Sequence, residues 1–160
     1  MRLLYNGLGA LCLPFVVPLL ALHPRLRGGL RERLGRAPEL PPGGVWYHGA
    51  SAGDVNALLP LARRSVAAGP VLMTSLTRSG AQLLAARLGP EEGIITARSP
   101  LDLPFAVESF FARVAPRLVV LECLELWPNL HIGALRRGVP VALVNARLSP
   151  RSFARYRRLP

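Results

Sequence analysis

The sequence predicts an α/β protein with a Rossmann-like, open and mainly parallel β-sheet, preceded by an apolar helix. Two uninterrupted apolar runs, at residues 118–121 and 139–144, lack the polar alternation of a strand with one face in water. Such runs are typical of parallel strands that helices cover on both faces. Segments with helical spacing of apolar residues alternate with them, and strands that alternate with helices form an open sheet through right-handed crossovers.

The first 44 residues are predicted to lie outside that sheet. Residues 3–22 carry no charge and are about as long as the ~20 residues that cross a bilayer, so residues 1–24 are expected to form an apolar membrane anchor. Pro14 and Pro18 predict a kinked helix, which leaves a full span and an interfacial anchor both open. A cleaved signal peptide is disfavoured, because basic residues rather than a small-x-small site follow the apolar run.

Residues 25–44 are predicted to form a basic segment and a linker rich in proline and glycine. The basic side chains of this segment are Arg25, Arg27, Arg31, Arg33 and Arg36. The positive-inside rule places this segment, and the domain that follows it, on the cytoplasmic side of a membrane.

The composition predicts an anionic partner. The formal net charge is +11, which favours membrane phospholipid, a phosphorylated substrate or nucleic acid. Nucleic acid is the weakest of the three, because the arginines cluster beside an apolar segment rather than interleaving with aromatic residues. Cys12 and Cys123 alone support neither a disulfide framework nor a zinc site, so no metal or cofactor is expected and a reducing, cytoplasmic environment fits.

Residues 45–160 are predicted to form one Rossmann-like domain. A strand begins at residue 45, and further strands are expected at 70–74 and 94–96, with helices at 78–88, 103–115 and 130–137. The first helix of the domain contains Pro60, which predicts either a kink or a division into two pieces. Ligands of such sheets bind beyond the carboxyl ends of the strands, so the loops after the first, second, fourth and fifth strands form the candidate site.

The loop after the first strand has the composition of a site. Gly49 and Gly53 are expected to let the backbone turn sharply and approach a ligand. Ser51 and Asp54 bring a hydroxyl and a carboxylate to the start of the next helix, where they serve either a site or only as helix caps. The spacing fits neither a Gly-x-Gly-x-x-Gly nor a Walker motif, so it does not by itself predict a phosphate site.

Polar groups also follow the fourth and fifth strands. Residues 122–129 combine two carboxylates, an indole and an amide, which are costly to bury unless they are paired or used. Residues 145–149 offer Arg147 and Ser149, which could cap the next helix or hold an anion. Each loop alone is more often structural, but their joint position at predicted strand ends favours a site.

Five motifs carry a family resemblance. In chain order they are His48-Gly-Ala-Ser-Ala-Gly-Asp54, Thr74-Ser-Leu-Thr-Arg-Ser-Gly80, Pro100-Leu-Asp-Leu-Pro104, Glu125-Leu-Trp-Pro-Asn129 and Asn145-Ala-Arg-Leu-Ser149. Their order and spacing resemble the N-terminal half of bacterial 3-deoxy-D-manno-octulosonic acid (Kdo) transferases. The resemblance covers the whole chain, including the apolar leader.

The resemblance implies the acceptor domain of a two-domain GT-B glycosyltransferase at the cytoplasmic face of the inner membrane. Such an enzyme transfers Kdo from CMP-Kdo to a lipid A precursor in lipopolysaccharide biosynthesis, with inversion at the anomeric carbon. The C-terminal domain would bind most of the nucleotide. That donor domain is expected to be absent, because the chain stops at Pro160, and the isolated chain is therefore expected to be inactive.

The resemblance also implies residue roles. Asp54 stands where the family has the Glu that is taken as the general base, and it is shorter by one C–C bond. Cys123 occupies the first Glu position of the Glu-x-Glu-Leu-Trp-Pro-Asn motif and Glu122 lies one residue earlier, so only Glu125 carries over. The residues expected to bind the acceptor are His48, Ser51, Gly53, Thr77, Ser79, Gly80, Asp102, Glu125, Trp127, Asn129, Asn145, Arg147 and Ser149. The alternative is a non-catalytic, membrane-associated remnant or binding module with the same fold.

Overall fold

Five β-strands alternate with helices in the structure, a computed structural model that describes residues 2–22, 28–123, 126–147, 149–150, 153–154 and 157. The strands are β1 (Val45–Gly49), β2 (Val71–Ser75), β3 (Ile94–Arg98), β4 (Leu118–Glu122) and β5 (Val141–Val144). The helices are α1 (Arg2–Leu22), α2 (Leu30–Arg33), α3 (Ala52–Ser65), α4 (Arg78–Arg87), α5 (Pro104–Val114) and α6 (Pro128–Arg136). Short 3-10 turns lie at Val66–Ala68 and Pro90–Glu92.

The strands form one parallel sheet in the order β3-β2-β1-β4-β5. β1 is central, and His48 on it is in register with Thr74 of β2 and Leu121 of β4. The chain moves outward from β1 to β3 and then returns to the other side of β1, which makes the β1–β4 junction a topological switch point. Ligands of such sheets bind outside the carboxyl ends of the strands at that point. The predicted α/β class and Rossmann-like parallel sheet are confirmed.

Two apolar layers attach the helices to opposite faces of the sheet. Successive side chains of β1 point to opposite faces, so Trp46 packs with the layer of α5 and α6 while Tyr47 packs with that of α3 and α4. The Trp46 ring centroid lies 4.6 Å from that of Phe110 and 5.4 Å from that of Phe111. The same alternation turns His48 toward the α5–α6 face.

The segment before β1 packs on the domain. Ala37 and Leu40 are buried in the core layer beneath α5, and the Leu40 N–H donates to the Arg113 carbonyl oxygen at 3.4 Å. Arg33 is also buried, which removes it from the group of arginines expected to face a membrane. Ala37 and Leu40 thus pack on the domain, while the division into a basic segment with a linker and a domain stays a prediction; Arg25 and Arg27 lie outside the described residues.

α1 is attached to the domain near its first turn. The Tyr5 hydroxyl donates to Asp102 Oδ2 at 3.0 Å, and Asn129 Nδ2 donates to Asn6 Oδ1 at 2.9 Å. On the far side of the helix, the exposed fractions of Leu11, Phe15 and Leu22 are 73%, 77% and 81%. Among the residues that the structure describes, no helix combines the length and hydropathy needed to cross a membrane.

Two element boundaries differ from the prediction for identifiable reasons. α3 continues from Ala52 to Ser65 as a single helix that contains Pro60, so the predicted division into two pieces is wrong. A proline removes one backbone donor, and the packing of the α3 face on the sheet outweighs that loss. α6 begins at Pro128 rather than at residue 130, because proline is well suited to the first turn of a helix.

Candidate active site

The β1–α3 loop places a carboxylate at the carboxyl end of the central strand. Ser51 is the N-cap of α3, and its Oγ accepts a hydrogen bond from the Asp54 N–H at 3.4 Å. In return, the Ser51 N–H donates to Asp54 Oδ2 at 2.7 Å, which completes a capping box. Capping therefore uses one carboxylate oxygen of Asp54, and no described residue donates a hydrogen bond to Oδ1.

The two glycines of this loop differ in what they allow. A Cβ on Gly49 would lie 2.8 Å from the Val55 backbone N and 2.9 Å from Asp54 Cβ, so glycine there lets α3 start directly against β1. A Cβ on Gly53 would meet only Ser51 Oγ, at an ordinary 3.7 Å. Neither glycine has a positive φ, so a left-handed backbone conformation is not what requires glycine at these two positions. The need at Gly49 is close packing within the protein, and ligand contact by Gly53 stays a prediction.

The start of α4 lies directly beside this loop. Thr77 is the N-cap of α4, its Oγ1 accepts from the Gly80 N–H at 3.2 Å, and its own N–H donates to the Ala50 oxygen at 2.9 Å. A Cβ on Gly80 would lie 1.9 Å from Ser75 Oγ, so only glycine permits this approach. Ser79 and Thr77 are exposed, with 3.2 Å between their hydroxyl oxygens. The structure thus brings Ser51, Asp54, Thr77, Ser79 and Gly80 together.

His48 is buried beneath the switch point. Its Nδ1 lies 2.9 Å from Thr74 Oγ1, which also accepts a hydrogen bond from Trp46 Nε1 at 2.8 Å. Burial lowers the pKa of the His48 imidazole from 6.5 to about 4, so the ring is neutral at neutral pH. Within the described residues, His48 Nε2 has no hydrogen-bond partner. The Trp127 ring contacts His48 edge-on, with 6.2 Å between centroids, so the loop after β4 contacts the end of β1.

Asp102 caps α6 from a distant loop. Its Oδ2 accepts from the Asn129 N–H at 3.1 Å and its Oδ1 from the Leu130 N–H at 2.9 Å. Trp127 is the N-cap residue of α6 and makes no side-chain capping bond, so Asp102 takes that role. Asp102 and Asn129 are both buried, and these contacts give them a structural role; their predicted contact with an acceptor stays a prediction.

A second buried carboxylate joins the loops after β4 and β5. Asn145 Nδ2 donates to Glu122 at 2.9 Å and 3.2 Å from the two carboxylate oxygens. Asn145 and Cys123, each directly after its strand, have positive φ angles of 52° and 60°. The Cys123 N–H also donates to the Val144 oxygen at 2.9 Å. Glu122, at the end of β4, therefore links this strand to the loop after β5. Its position in the sequence, beside the family motif, did not predict this role.

Two of the remaining predicted residues, Arg147 and Ser149, follow β5. Arg147 and Ser149 are exposed, and the Ser149 carbonyl oxygen accepts from the Phe153 N–H at 2.8 Å. Glu125 lies outside the described residues. Sequence reasoning missed Thr74, although it lies in a quoted motif, because a threonine inside an apolar strand carries no local sign of its buried partners.

A parallel sheet with this strand order, covered by helices on both faces, defines a Rossmann-like domain. Residues 28–160 match the family model described as 3-deoxy-D-manno-octulosonic-acid transferase (kdotransferase). The chain belongs to this family, as its five motifs predicted.

Full-length relatives are longer than this chain. The 3-deoxy-D-manno-octulosonic acid transferase of Haemophilus influenzae is 35% identical over 99% of this chain and 39% of its own length. That of Bordetella pertussis is 37% identical over 92% of this chain and 39% of its length. A probable mitochondrial 3-deoxy-D-manno-octulosonic acid transferase of Arabidopsis thaliana is 34% identical over 88% of this chain and 34% of its own length. The chain spans about two-fifths of the length of the bacterial relatives that it matches.

Proposed function

We propose that this chain is the acceptor-binding part of an inverting glycosyltransferase that moves Kdo from CMP-Kdo to a lipid A precursor. The names of the full-length relatives support Kdo transfer. The observation that carries the proposal is the Asp54 carboxylate, which lies at the carboxyl end of the central strand and has one oxygen outside the capping box.

Asp54 acts as the general base in this proposal. Its Oδ1 takes the proton of an acceptor hydroxyl, the hydroxyl oxygen bonds to the anomeric carbon of Kdo, and CMP leaves with the electrons of the broken bond. One displacement of this kind inverts the anomeric carbon. The Ser51 N–H fixes the other oxygen, Oδ2, and so orients the carboxylate without consuming the atom that accepts the proton.

Capping and catalysis are therefore compatible at Asp54. A capping-box carboxylate needs one oxygen, and a base needs one lone pair on the other. The N-terminus of α3 also favours a negatively charged side chain at this position.

A GT-B active site lies in the cleft between two domains, and the 160 residues alone are proposed not to transfer sugar. A chimera tests this directly: these residues replace the matching N-terminal part of the Haemophilus influenzae relative, and transfer from CMP-Kdo to a lipid A precursor is measured. The chimera should be active and the isolated chain inactive. A folded chimera without transfer would favour the alternative, a non-catalytic membrane-associated module.

The protein is also proposed to lie at the cytoplasmic face of the inner membrane, held there by α1. Leu11, Phe15 and Leu22 are spaced so that they share one helix stripe, and all three are exposed. The hydrogen bonds of Tyr5 and Asn6 to the domain lie on the opposite side. A helix attached along one side, with an apolar stripe on the other, suits an interfacial anchor that lies in the plane of the membrane surface.

Vesicle binding tests the anchor. The 160-residue chain should co-sediment with phosphatidylglycerol vesicles, and a Leu11→Glu/Phe15→Glu variant should remain in the supernatant. Leu135→Glu is the matched control, because Leu135 is also exposed, at 78%, but lies on α6. If Leu135→Glu released the protein as strongly, or if the α1 variant still bound, α1 would not be the anchor.

A further inference from the structure

Three arginines from different elements meet at the start of α4. Arg33 Nη2 donates to the Leu76 carbonyl oxygen at 2.6 Å, and Arg98 Nη1 donates to the Thr77 carbonyl oxygen at 2.5 Å. These are the last two carbonyls before α4, and the first residue of α4 is the exposed Arg78. We name this group, Arg33, Arg78 and Arg98, the arginine cluster.

The charges of the arginine cluster are not balanced within the described part of the protein. Glu32 Oε2 accepts from the Arg98 backbone N–H at 2.5 Å, and this one carboxylate against three guanidinium groups leaves an excess of two positive charges. Burial, and then the neighbouring Arg98, lowers the pKa of Arg33. Like charges crowded in a partly buried place are unfavourable unless an anion joins them.

One member of the cluster has an unsatisfied donor. Arg33 is only 9% exposed, and its Nε has no hydrogen-bond partner among the described residues. Buried donors are nearly always bonded in native structures, so an orphan on a guanidinium group indicates a missing acceptor. Because the same guanidinium bonds Leu76, directly before the α4 cap, the acceptor would belong at the start of α4.

The start of α4 adds further donors. Thr77 Oγ1 satisfies the Gly80 N–H, but no described residue accepts from the N–H groups of Arg78 and Ser79. Exposed N–H groups at a helix N-terminus, together with the helix dipole, favour an anion. The guanidinium groups of the arginine cluster and the positive end of the α4 dipole therefore lie together at the N-terminus of α4.

A cleft opens beside Arg98. It has a volume of about 290 Å³ and lies between α2, α4 and the edge strand β3, with Glu32, Leu84 and Thr96 in its wall. The cleft gives room for the part of a ligand that is attached to the anionic group. Its mixed polar and apolar wall suits a hydroxylated ring more than a second charge.

We propose that Arg33, Arg78, Arg98 and the α4 N-terminus bind a phosphate monoester group of the acceptor sugar, which supplies the acceptor that Arg33 Nε lacks among the described residues. Guanidinium groups and helix N–H donors match the oxygens of a phosphate, which accepts several hydrogen bonds at once. The Thr77 N–H bonds to Ala50, directly before Ser51, so the phosphate lies next to the loop that carries Asp54. The identity of the acceptor rests on the proposed function, whereas phosphate binding does not.

The 160-residue chain is titrated with inorganic phosphate, glucosamine 1-phosphate and glucosamine at constant ionic strength, with calorimetric detection. Glucosamine 1-phosphate should bind more tightly than inorganic phosphate, and glucosamine should not bind measurably. Arg78→Ala should weaken sugar-phosphate binding about tenfold, the loss expected for one charge-assisted contact. Arg98→Lys keeps the charge but loses the guanidinium fork, and should weaken binding by a similar factor. Arg64→Ala, at an exposed position in the last turn of α3, is the matched control and should bind like the parent.

Each contrary result has a defined meaning. Equal weakening by Arg64→Ala would show diffuse charge attraction and overturn the site, as would absence of binding by the parent chain. Inorganic phosphate that binds as tightly as the sugar phosphate would overturn the acceptor assignment. Circular dichroism of each variant separates lost binding from lost folding. If the chimera were inactive while the chain still bound phosphate, only the proposed function would be rejected. If the chimera were active and Arg78→Ala did not change its KM for the acceptor, only this inference would be rejected.

Discussion

Asn129 donates two hydrogen bonds to Asp102: its backbone N–H donates to the Asp102 carboxylate at 3.1 Å, and its side-chain amide donates to the Asp102 carbonyl oxygen at 2.6 Å. The pair lies 27 residues apart in sequence and joins the loop before α5 to the start of α6. Because α6 carries the Trp127 loop at its N-terminus, this pair fixes the position of the residues that contact His48.

Asp102→Ala should lower the free energy of unfolding by about 2–4 kcal/mol, because it leaves two buried N–H groups without an acceptor. Asp102→Asn keeps one acceptor oxygen and should cost less than Asp102→Ala. Urea denaturation measures both, with the exposed Glu91→Ala as the control for loss of an acidic side chain. An Asp102→Ala protein as stable as Glu91→Ala would refute the capping role.

Tyr5 reaches the same carboxylate from α1, and Tyr5→Phe should loosen that helix without unfolding the domain. Loss of one hydrogen bond to a partly exposed hydroxyl should cost about 1 kcal/mol, and the loss should be confined to α1. Hydrogen exchange of the α1 amides should become faster, while exchange in β1 and β4 should not change. Faster exchange throughout the sheet would mean that α1 is an integral part of the core.

His48 should make stability fall on acidification. Its folded-state pKa of about 4 lies below the usual 6.5, so the unfolded chain binds the proton first. The stability due to neutral, buried His48 is complete above pH 6.5 and is lost as the pH falls from 6.5 through 4. The total loss is about 3 kcal/mol, from ~1.4 kcal/mol for each pKa unit.

His48→Asn tests this dependence, because the asparagine amide can keep a bond to Thr74 and cannot titrate in this range. Urea denaturation at pH 7 and at pH 4.5 should show a smaller difference for His48→Asn than for the parent. His131→Asn, at a half-buried position on α6, is the control for a histidine-to-asparagine substitution. An unchanged difference in His48→Asn would exclude His48 as the origin.

Asn145 combines a backbone role with a side-chain role, and two variants separate them. Asn145→Gly keeps the left-handed φ of 52° and loses the bond to Glu122, whereas Asn145→Ala loses both. Both should be less stable than the parent, since the Glu122 carboxylate is buried, and Asn145→Ala should be the worse by about 1 kcal/mol. Equal stabilities of the two variants, measured by thermal unfolding, would show that the left-handed φ at this position does not destabilise a residue with a Cβ.

The sequence pattern predicted those features of the fold that depend on interactions between residues near one another in the chain. Parallel strands follow from apolar runs, and the end of α4 follows from Gly89-Pro90, because hydropathy period and backbone restriction act over a few residues. The arginine cluster could not be predicted in this way, because Arg33, Arg78 and Arg98 are far apart in the sequence. Arg33 appeared as one of five membrane-facing arginines, and only the packing of α2 against β3 reveals that it is buried.

The same limit applies within the candidate site. Ser51 and Asp54 are three residues apart, so their capping box was predictable as an alternative to catalysis. Asp102 and Asn129 were predicted as acceptor contacts because their motifs belong to the family, and their mutual bonding depends on two loops that meet only in the folded sheet. The family motifs identified Asp102 and Asn129 as residues of interest, and only their contacts in the folded protein show that they bond to each other.

Asp54 provides the sharpest test, because the two oxygens of its carboxylate have separate tasks. Asp54→Asn can still accept the Ser51 N–H bond through its amide oxygen, but an amide does not take a proton at neutral pH. In the chimera with the Haemophilus influenzae relative, this variant should lose no more than ~1 kcal/mol of stability, seen as a small change in melting temperature. Its transfer rate should fall ~10²–10⁴-fold.

Two further substitutions at Asp54 complete the series. Asp54→Glu restores the carboxylate and gives a Ser-x-x-Glu capping box, so it should keep the fold and retain or raise transfer. Asp54→Ala removes cap and base together, and should lose both stability, by about 1 kcal/mol, and transfer. The kcat and the melting temperature of each chimera are measured side by side. Near-full activity of Asp54→Asn would mean that another group takes the proton, with Glu125 the next residue to substitute.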